Sequence, residues 1–325
     1  MPTPTDDCQL HKDFYNNLYA ITYTIILVPG LIGNVLALWV FRCYIRETKK
    51  AVIFMINLAV ADLLQVLSLP LRIFYYLHKS WPFGKVLCMF CFYLKYVNMY
   101  ASIYFLVCIS IRRYLFLMHP FKYNDYKRKW DIYASIVGWL IVCICCLPFP
   151  LLRDAGNPEI DKCFVDLPMA QNLGNSVVIT MVTLAEITGF VLPLLIVFFC
   201  SWKTSLTLKE TNTLVNDNGE KRKAFKMILT CAIVFLVCFG PYHLSFPLDF
   251  LAKANKLSCN SKKAASIFHP VAICLASLNS CVDPVIYYFT TDEFKRRLSR
   301  QDLQESIQLQ TKIYSSSQSR SECQG

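Results

Sequence analysis

Apolar residues run along the chain in seven long stretches that are separated by shorter polar segments. The first stretch, residues 18–41, contains twenty-four residues and no charge. About 20 apolar residues in a helix are enough to cross the hydrocarbon core of a bilayer. The pattern therefore predicts an all-α membrane protein with seven spans, of which the other six lie at about 51–78, 88–120, 132–152, 177–202, 227–251 and 264–289.

The third stretch carries polar residues at intervals along one helical face. At about 100° per residue, Lys95, Ser102 and Arg113 fall close together around the helix axis. Polar groups at this depth are costly against lipid, so this face should point into a helix bundle. An alternative explanation is a helix whose end charges reach the membrane surface. That would explain Lys95 and Arg112, but it would not explain Asn98 and Ser102 together.

The composition is that of a membrane protein and not of a nucleic-acid-binding one. Hydrophobic residues make up 55% of the chain and charged residues 17%, against about 25% charged in an average globular protein. The net charge of +11 comes from Lys and Arg in the polar segments that follow spans 1, 3, 5 and 7. The positive-inside rule makes that side cytoplasmic and the N-terminus extracellular, as in a multi-pass protein of the plasma membrane.

The ends of the chain complete the predicted organisation. Residues 1–17 form an extracellular arm, and 18–289 form the seven-span bundle in the lipid bilayer. Residues 290–301 alternate charges with apolar positions, which predicts a short amphipathic helix on the inner membrane face. Residues 302–325 are rich in Ser and Gln and are expected to be a disordered cytoplasmic tail.

Four of the sixteen cysteines lie in segments predicted to be extracellular: Cys8, Cys88, Cys163 and Cys259. Four cysteines allow three pairings, which their positions alone leave open. We favour Cys88–Cys163 with Cys8–Cys259, because two such bridges would hold the outer loops over the mouth of the bundle.

A second group of polar residues is predicted inside the bundle, at or below mid-depth in spans 1, 2, 3 and 7. Carboxylates at that depth need partners or a proton. Oxygen atoms of carboxylates, amides and a hydroxyl could ligate an allosteric sodium ion; a hydrogen-bonded network with water, or an ion or proton path, is an alternative. The group consists of Asn34, Asp62, Asn98, Ser102, Asn279 and Asp283.

Four cations are predicted at the outer ends of the spans: Arg72, Lys95, Arg153 and Lys253. Together they favour an anionic ligand, because Arg presents a fork to anions and Lys a point charge. Taken singly, each suits an end charge that reaches water, except Arg72, which lies too deep. Tyr96, Tyr242, His243 and Phe246 would supply ring and hydroxyl contacts beside them.

The chain has no HExxH, GxSxG, Walker A or GxGxxG motif, so neither an enzyme nor a metal centre is predicted. A transporter would show inverted repeats, and none is visible. Prolines inside the spans suggest a hinge at Phe239-Gly240-Pro241 in span 6 and another at Pro284 in span 7.

These features resemble the rhodopsin-like G-protein-coupled receptors over residues 18–301. The matching motifs are Gly33-Asn34-Val35, Leu58-Ala59-Val60-Ala61-Asp62, Cys88 with Cys163, Arg112-Arg113-Tyr114, Trp139, Pro193, Cys238-Phe239-Gly240-Pro241 and Asp283-Pro284-Val285-Ile286-Tyr287. Within that family the chain is similar to the purinoceptor-like branch. Residues 52–77, 91–110 and 293–309 are similar to the lysophosphatidylserine receptors.

The resemblance implies a receptor for a lysophospholipid with a serine head group. Arg72, Tyr96, Arg153 and Lys253 would meet the phosphate and serine groups, and the acyl chain would lie along spans 4 and 5. Agonist would favour a state in which the inner end of span 6 moves outward and Arg113, Tyr114 and Tyr287 rearrange. The implied partners are G proteins of the G12/13 and Gs classes and, after phosphorylation of the tail, arrestin.

The chain departs from the family pattern at two places. Arg112 stands where the family usually has an acid that pairs with the next Arg, which predicts raised basal signalling that Arg112→Asp would lower. Phe246 and Ile273 stand where nucleotide-binding relatives carry basic residues. The second departure counts against the alternative function, a purine nucleotide receptor.

Overall fold

The computed structural model describes residues 4–44, 52–119, 128–154, 163–164, 175–211, 218–253 and 259–290, and these are almost entirely helical. Among them, seven helices are long and apolar enough to cross a membrane. The prediction of an all-α bundle with seven spans is confirmed. Spans 1 to 7 are Phe14–Arg42, Val52–His78, Lys85–Met118, Lys129–Leu151, Val182–Thr207, Ala224–Ala252 and Ser261–Tyr287.

The helices extend beyond the apolar stretches at several ends. The first begins at Pro4, well before residue 18; a proline in the first turn and the acidic residues that follow it are favourable at a helix start. Of the predicted amphipathic helix 290–301, only residue 290 is described, and the tail 302–325 lies outside the described residues. The α-helices are Pro4–Tyr44, Val52–His78, Lys85–Met118, Lys129–Cys146, Pro148–Asp154, Asn175–Glu186, Leu192–Thr211, Asn218–Val234, Gly240–Lys253, Cys259–Ser277 and Asn279–Thr290.

Two spans contain a π-helical turn just before a proline. Ile187–Val191 precedes Pro193 in span 5, and Phe235–Phe239 precedes Pro241 in span 6. Proline removes one backbone hydrogen bond and crowds the preceding turn, and a widened turn accommodates both effects. The predicted hinge residue Phe239 therefore lies at the end of an irregular turn.

Span 4 shows how the bundle divides its surface between protein and lipid. Ile132, Ile136, Leu140 and Ile144 recur every fourth residue and are exposed, as expected of a stripe that faces lipid. The opposite face packs on span 3, where a Cβ atom added to Gly138 would fall on the ring of Tyr104. Glycine therefore permits the close approach of these two spans.

Candidate functional site

Arg72 lies in the outer half of span 2 and is 1% exposed. Its Nη2 donates to the Cys91 carbonyl at 2.6 Å and lies 3.5 Å from Gln65 Oε1. Its guanidinium carbon lies 5.3 Å from the centre of the Phe164 ring. Within the described part of the chain, Arg72 Nε has no hydrogen-bond partner and no carboxylate pairs with the guanidinium. Arg72 is thus a buried cation held by neutral groups.

The predicted disulfide Cys88–Cys163 is present in the structure, with its Cα atoms 5.7 Å apart. It places Phe164 beside Arg72, and the Phe164 ring packs edge-on against Tyr75 and Trp81 at 5.4 and 5.7 Å. An aromatic wall therefore covers the guanidinium. The side chains of Cys8 and Cys259 lie outside the described part, so the second bridge stays a prediction.

Aromatic rings continue from Arg72 toward the centre of the bundle. Tyr96 is buried and stacks on Phe149 of span 4 at 4.2 Å, and Lys95 Nζ lies 5.3 Å from the centre of the Tyr96 ring. Tyr242 and Phe246 of span 6 stack at 5.8 Å. The predicted cations Arg153 and Lys253 lie in helices, but their side chains are not described. The convergence of four cations therefore stays a prediction.

His243 has a partner that the sequence interpretation missed. Its Nδ1 lies 3.0 Å from Glu186 Oε2, so the pair links spans 5 and 6. The imidazole also stacks on Phe190 at 4.5 Å, and Phe190 stacks on Phe235 at 5.5 Å. The signal for Glu186 was its position as a lone acid within an apolar stretch.

His269 of span 7 contacts a hydroxyl group of span 6. Ser245 Oγ lies 2.9 Å from His269 Nδ1 and donates to the Tyr242 carbonyl at 2.9 Å. The contact links spans 6 and 7 within the aromatic region. Both residues are buried, so the contact reads as a structural hydrogen bond.

The predicted polar group assembles around Asp62. Its Oδ1 accepts hydrogen bonds from Asn98 Nδ2 at 3.1 Å and from Asn279 Nδ2 at 3.2 Å, and Asn279 Nδ2 also lies 3.0 Å from Ser102 Oγ. Asn34 Nδ2 donates to the Ser280 carbonyl at 2.8 Å. These bonds tie spans 2, 3 and 7 together and join span 1 to span 7. Every one of these side chains is buried.

Two carboxylates of the polar group have unused acceptors. Asp62 Oδ2 and both carboxylate oxygens of Asp283 are buried and have no hydrogen-bond partner among the described residues. A buried acceptor without a partner is costly. The group is therefore chemically suited to a water molecule, a proton or a small hard cation.

The inner end of span 3 carries two consecutive arginines with different partners. Arg112 Nε and Nη2 lie 3.0 and 3.1 Å from the two carboxylate oxygens of Asp131 in span 4. Arg113 Nε lies 3.0 Å from Met227 Sδ in span 6. The sequence interpretation took Arg112 as a missing acid and did not anticipate that Asp131 would bind it.

The remaining predicted switch residues pack nearby. Tyr114 contacts the Phe199 ring of span 5 at 5.9 Å, and the Tyr287 hydroxyl donates to the Met55 carbonyl at 3.4 Å. Pro284 lies against span 1, where a Cβ atom on Gly33 would approach it to 2.9 Å. Pro241 is half-buried directly after the π-helical turn of span 6. The predicted switch residues are thus each packed against a neighbouring span or next to the irregular turn of span 6.

The model of the family "7 transmembrane receptor (rhodopsin family)" matches residues 33–287. The chain belongs to the rhodopsin family of receptors. It is a multi-pass membrane receptor and not an enzyme, and the predicted kinship with the purinoceptor-like branch is confirmed.

Three relatives show where this receptor lies within the family. It is 66% identical over 308 residues to a Mus musculus protein named probable G-protein coupled receptor 174, a match that covers 94% of this chain and 91% of the relative. It is 46% identical over 288 residues to the Homo sapiens putative P2Y purinoceptor 10, covering 88% and 85%. It is 34% identical over 293 residues to lysophosphatidic acid receptor 6 of Gallus gallus, covering 89% and 94%.

Proposed function

We propose that this receptor binds an anionic lysophospholipid, with lysophosphatidylserine as the first candidate. In this proposal it lies in the plasma membrane with its N-terminus outside. Agonist shifts an existing equilibrium toward a state in which the inner end of span 6 moves outward. The receptor then activates G proteins of the G12/13 and Gs classes and recruits arrestin.

The observation that carries the proposal is the environment of Arg72. A buried guanidinium without a carboxylate is an unfavourable arrangement, because the charge has left water without gaining an opposite charge. A phosphate or carboxylate group would supply that charge and match the planar fork of the guanidinium. An anionic head group beside Arg72 would thus supply the opposite charge that the described residues do not supply.

A lipid agrees better than a nucleotide with the residues around that cation. The ring of Phe164 lies over Arg72, and stacked rings of Tyr96 with Phe149 and of Tyr242 with Phe246 lie in spans 3, 4 and 6. Apolar Phe246 and Ile273 replace the basic residues expected for a triphosphate. One relative is named a lysophosphatidic acid receptor. The relative named a purinoceptor keeps a purine nucleotide receptor as the second candidate.

The test is G-protein activation in cells that express the chain, with lysophosphatidylserine, lysophosphatidic acid, ATP and UDP as agonists and a panel of Gα sensors as the readout. We expect a response to lysophosphatidylserine that Arg72→Ala abolishes at equal surface density. Lys85→Gln, a change at an exposed cation where span 3 begins, serves as the matched control and should respond like the parent. Silence to the lipids with a response to a nucleotide would refute the proposed ligand.

We also propose that a sodium ion binds among Asp62, Asn98, Ser102, Asn279 and Asp283. The support is the set of carboxylate oxygens without partners, since oxygen atoms are the ligands that hard cations prefer. Agonist affinity should fall as sodium replaces potassium at constant ionic strength, and this dependence should vanish in Asp62→Ala. Sodium dependence that persists in Asp62→Ala would exclude the site and leave a water-filled network.

A further inference from the structure

The ion pair between Arg112 and Asp131 joins spans 3 and 4 through opposite charges. Arg112 is 5% exposed and Asp131 is 1% exposed. Arg112 Nη2 donates a hydrogen bond to Asp131 Oδ2 at 3.1 Å, and Arg112 Nε lies 3.0 Å from Oδ1 without the geometry of a hydrogen bond. A charge-assisted hydrogen bond gives the contact a direction as well as strength. The pair is therefore able to hold the inner end of span 3 in one orientation.

The position of Asp131 in its helix adds to this contact. The helix of span 4 begins at Lys129, so Asp131 stands in its first turn, where a negative charge is favoured by the helix dipole. Its backbone carbonyl accepts a hydrogen bond from Ser135 Oγ at 2.8 Å. The negative charge of Asp131 thus suits its own helix as well as Arg112.

The neighbouring Arg113 is oriented by the same contact. Consecutive residues of an α-helix point about 100° apart. When Arg112 is fixed toward span 4, Arg113 is directed toward span 6, where its Nε lies 3.0 Å from Met227 Sδ. A thioether is a weak hydrogen-bond acceptor compared with a carboxylate. Of these two contacts, the one between spans 3 and 4 joins opposite charges.

We propose that the Arg112–Asp131 pair restrains the resting receptor. In a rhodopsin-like receptor the restraining acid is expected directly before the Arg of the triplet, at position 112 here. In this receptor the acid is Asp131, which lies in a different helix. It holds Arg113 against span 6 and limits signalling without agonist. Asp131 therefore compensates for the acid that Arg112 replaces. This proposal does not depend on which ligand the receptor binds, because its test is made without agonist.

The first test is basal G-protein activation per receptor at the cell surface. Asp131→Asn keeps the size of the side chain and removes its charge, so we expect basal activation to rise by about threefold or more, as for the loss of a coupling between contacting residues. Arg112→Asp sets two carboxylates against each other and should also raise basal activation. If basal activation depended only on the absence of an acid at position 112, Arg112→Asp would lower basal activation. Lys129→Gln, at an exposed cation two residues from Asp131, should behave like the parent.

The second test is the exchange of the two charges in Arg112→Asp with Asp131→Arg. The double variant should return surface density and basal activation toward the parent values, which a general loss of packing would not do. Unchanged basal activation in Asp131→Asn at parent surface density would overturn the proposal. If Asp131→Asn does not reach the surface, the double variant decides: recovery supports the restraint, and failure to recover overturns it.

Discussion

Two buried arginines near opposite ends of the bundle have almost the same exposure and different surroundings. Arg72, toward the end of span 2, is 1% exposed and contacts a carbonyl, an amide and an aromatic ring. Arg112, toward the end of the antiparallel span 3, is 5% exposed and contacts both oxygens of a carboxylate. Both residues are buried, but among the described residues only Arg112 of the two has a carboxylate partner.

This difference separates a structural arginine from one that is available to a ligand. A buried ion pair satisfies its own charges, so removing either member leaves the other uncompensated. A buried arginine with neutral partners lacks an anion, and a ligand is one source of it. The partners of a buried charge therefore indicate function where its depth in the membrane does not.

The largest effect that this comparison predicts is on stability. Asp131→Ala should lower the free energy of unfolding by about 3–5 kcal/mol, because it leaves the Arg112 guanidinium buried without its carboxylate. Thermal unfolding of the purified receptor in detergent measures the loss as a lower Tm. Arg112→Met with Asp131→Leu, which removes both charges, should recover most of it. A Tm of Asp131→Ala equal to that of the parent would mean that the pair contributes no stability.

A smaller effect on stability is expected at the uncharged contact between Tyr104 of span 3 and Gly138 of span 4. Gly138→Ala would set a methyl group on the Tyr104 ring, and overpacking of this kind costs about 1–3 kcal/mol. Tm should therefore fall by less than in Asp131→Ala. Gly240→Ala is the matched control, since an added Cβ atom there meets nothing within 4 Å. An equal Tm for the two glycine variants would show that Tyr104 moves aside.

The sequence predicts well those features that follow from local pattern. Seven apolar stretches predicted seven spans, and the spacing of polar residues within them predicted the group around Asp62. The Cys88–Cys163 disulfide is one of the three pairings that the predicted extracellular positions of four cysteines allow. Each of these inferences needs only the depth of a residue or its helical face, which helix geometry supplies.

The features that sequence analysis missed depend on contacts between helices. Span 4 was predicted to begin at about residue 132, so Asp131 fell just outside it and its contact with Arg112 was not foreseen. Glu186 lies in an apolar stretch, but nothing in the pattern pairs it with His243 fifty-seven residues later. Such pairings are set by packing across the bundle.

The smallest expected effect on stability belongs to Arg72, and it tests the comparison most directly. Arg72→Met removes a buried charge that has no carboxylate partner among the described residues and keeps an apolar chain of similar length. The free energy of unfolding should change by less than about 1 kcal/mol or rise, because a buried charge without an opposite charge is itself unfavourable. The same variant should lose its response to a lysophospholipid agonist.

Measured together, an unchanged Tm and a lost response identify Arg72 as a ligand contact. A Tm that falls as far as in Asp131→Ala would instead make Arg72 a structural residue like Arg112.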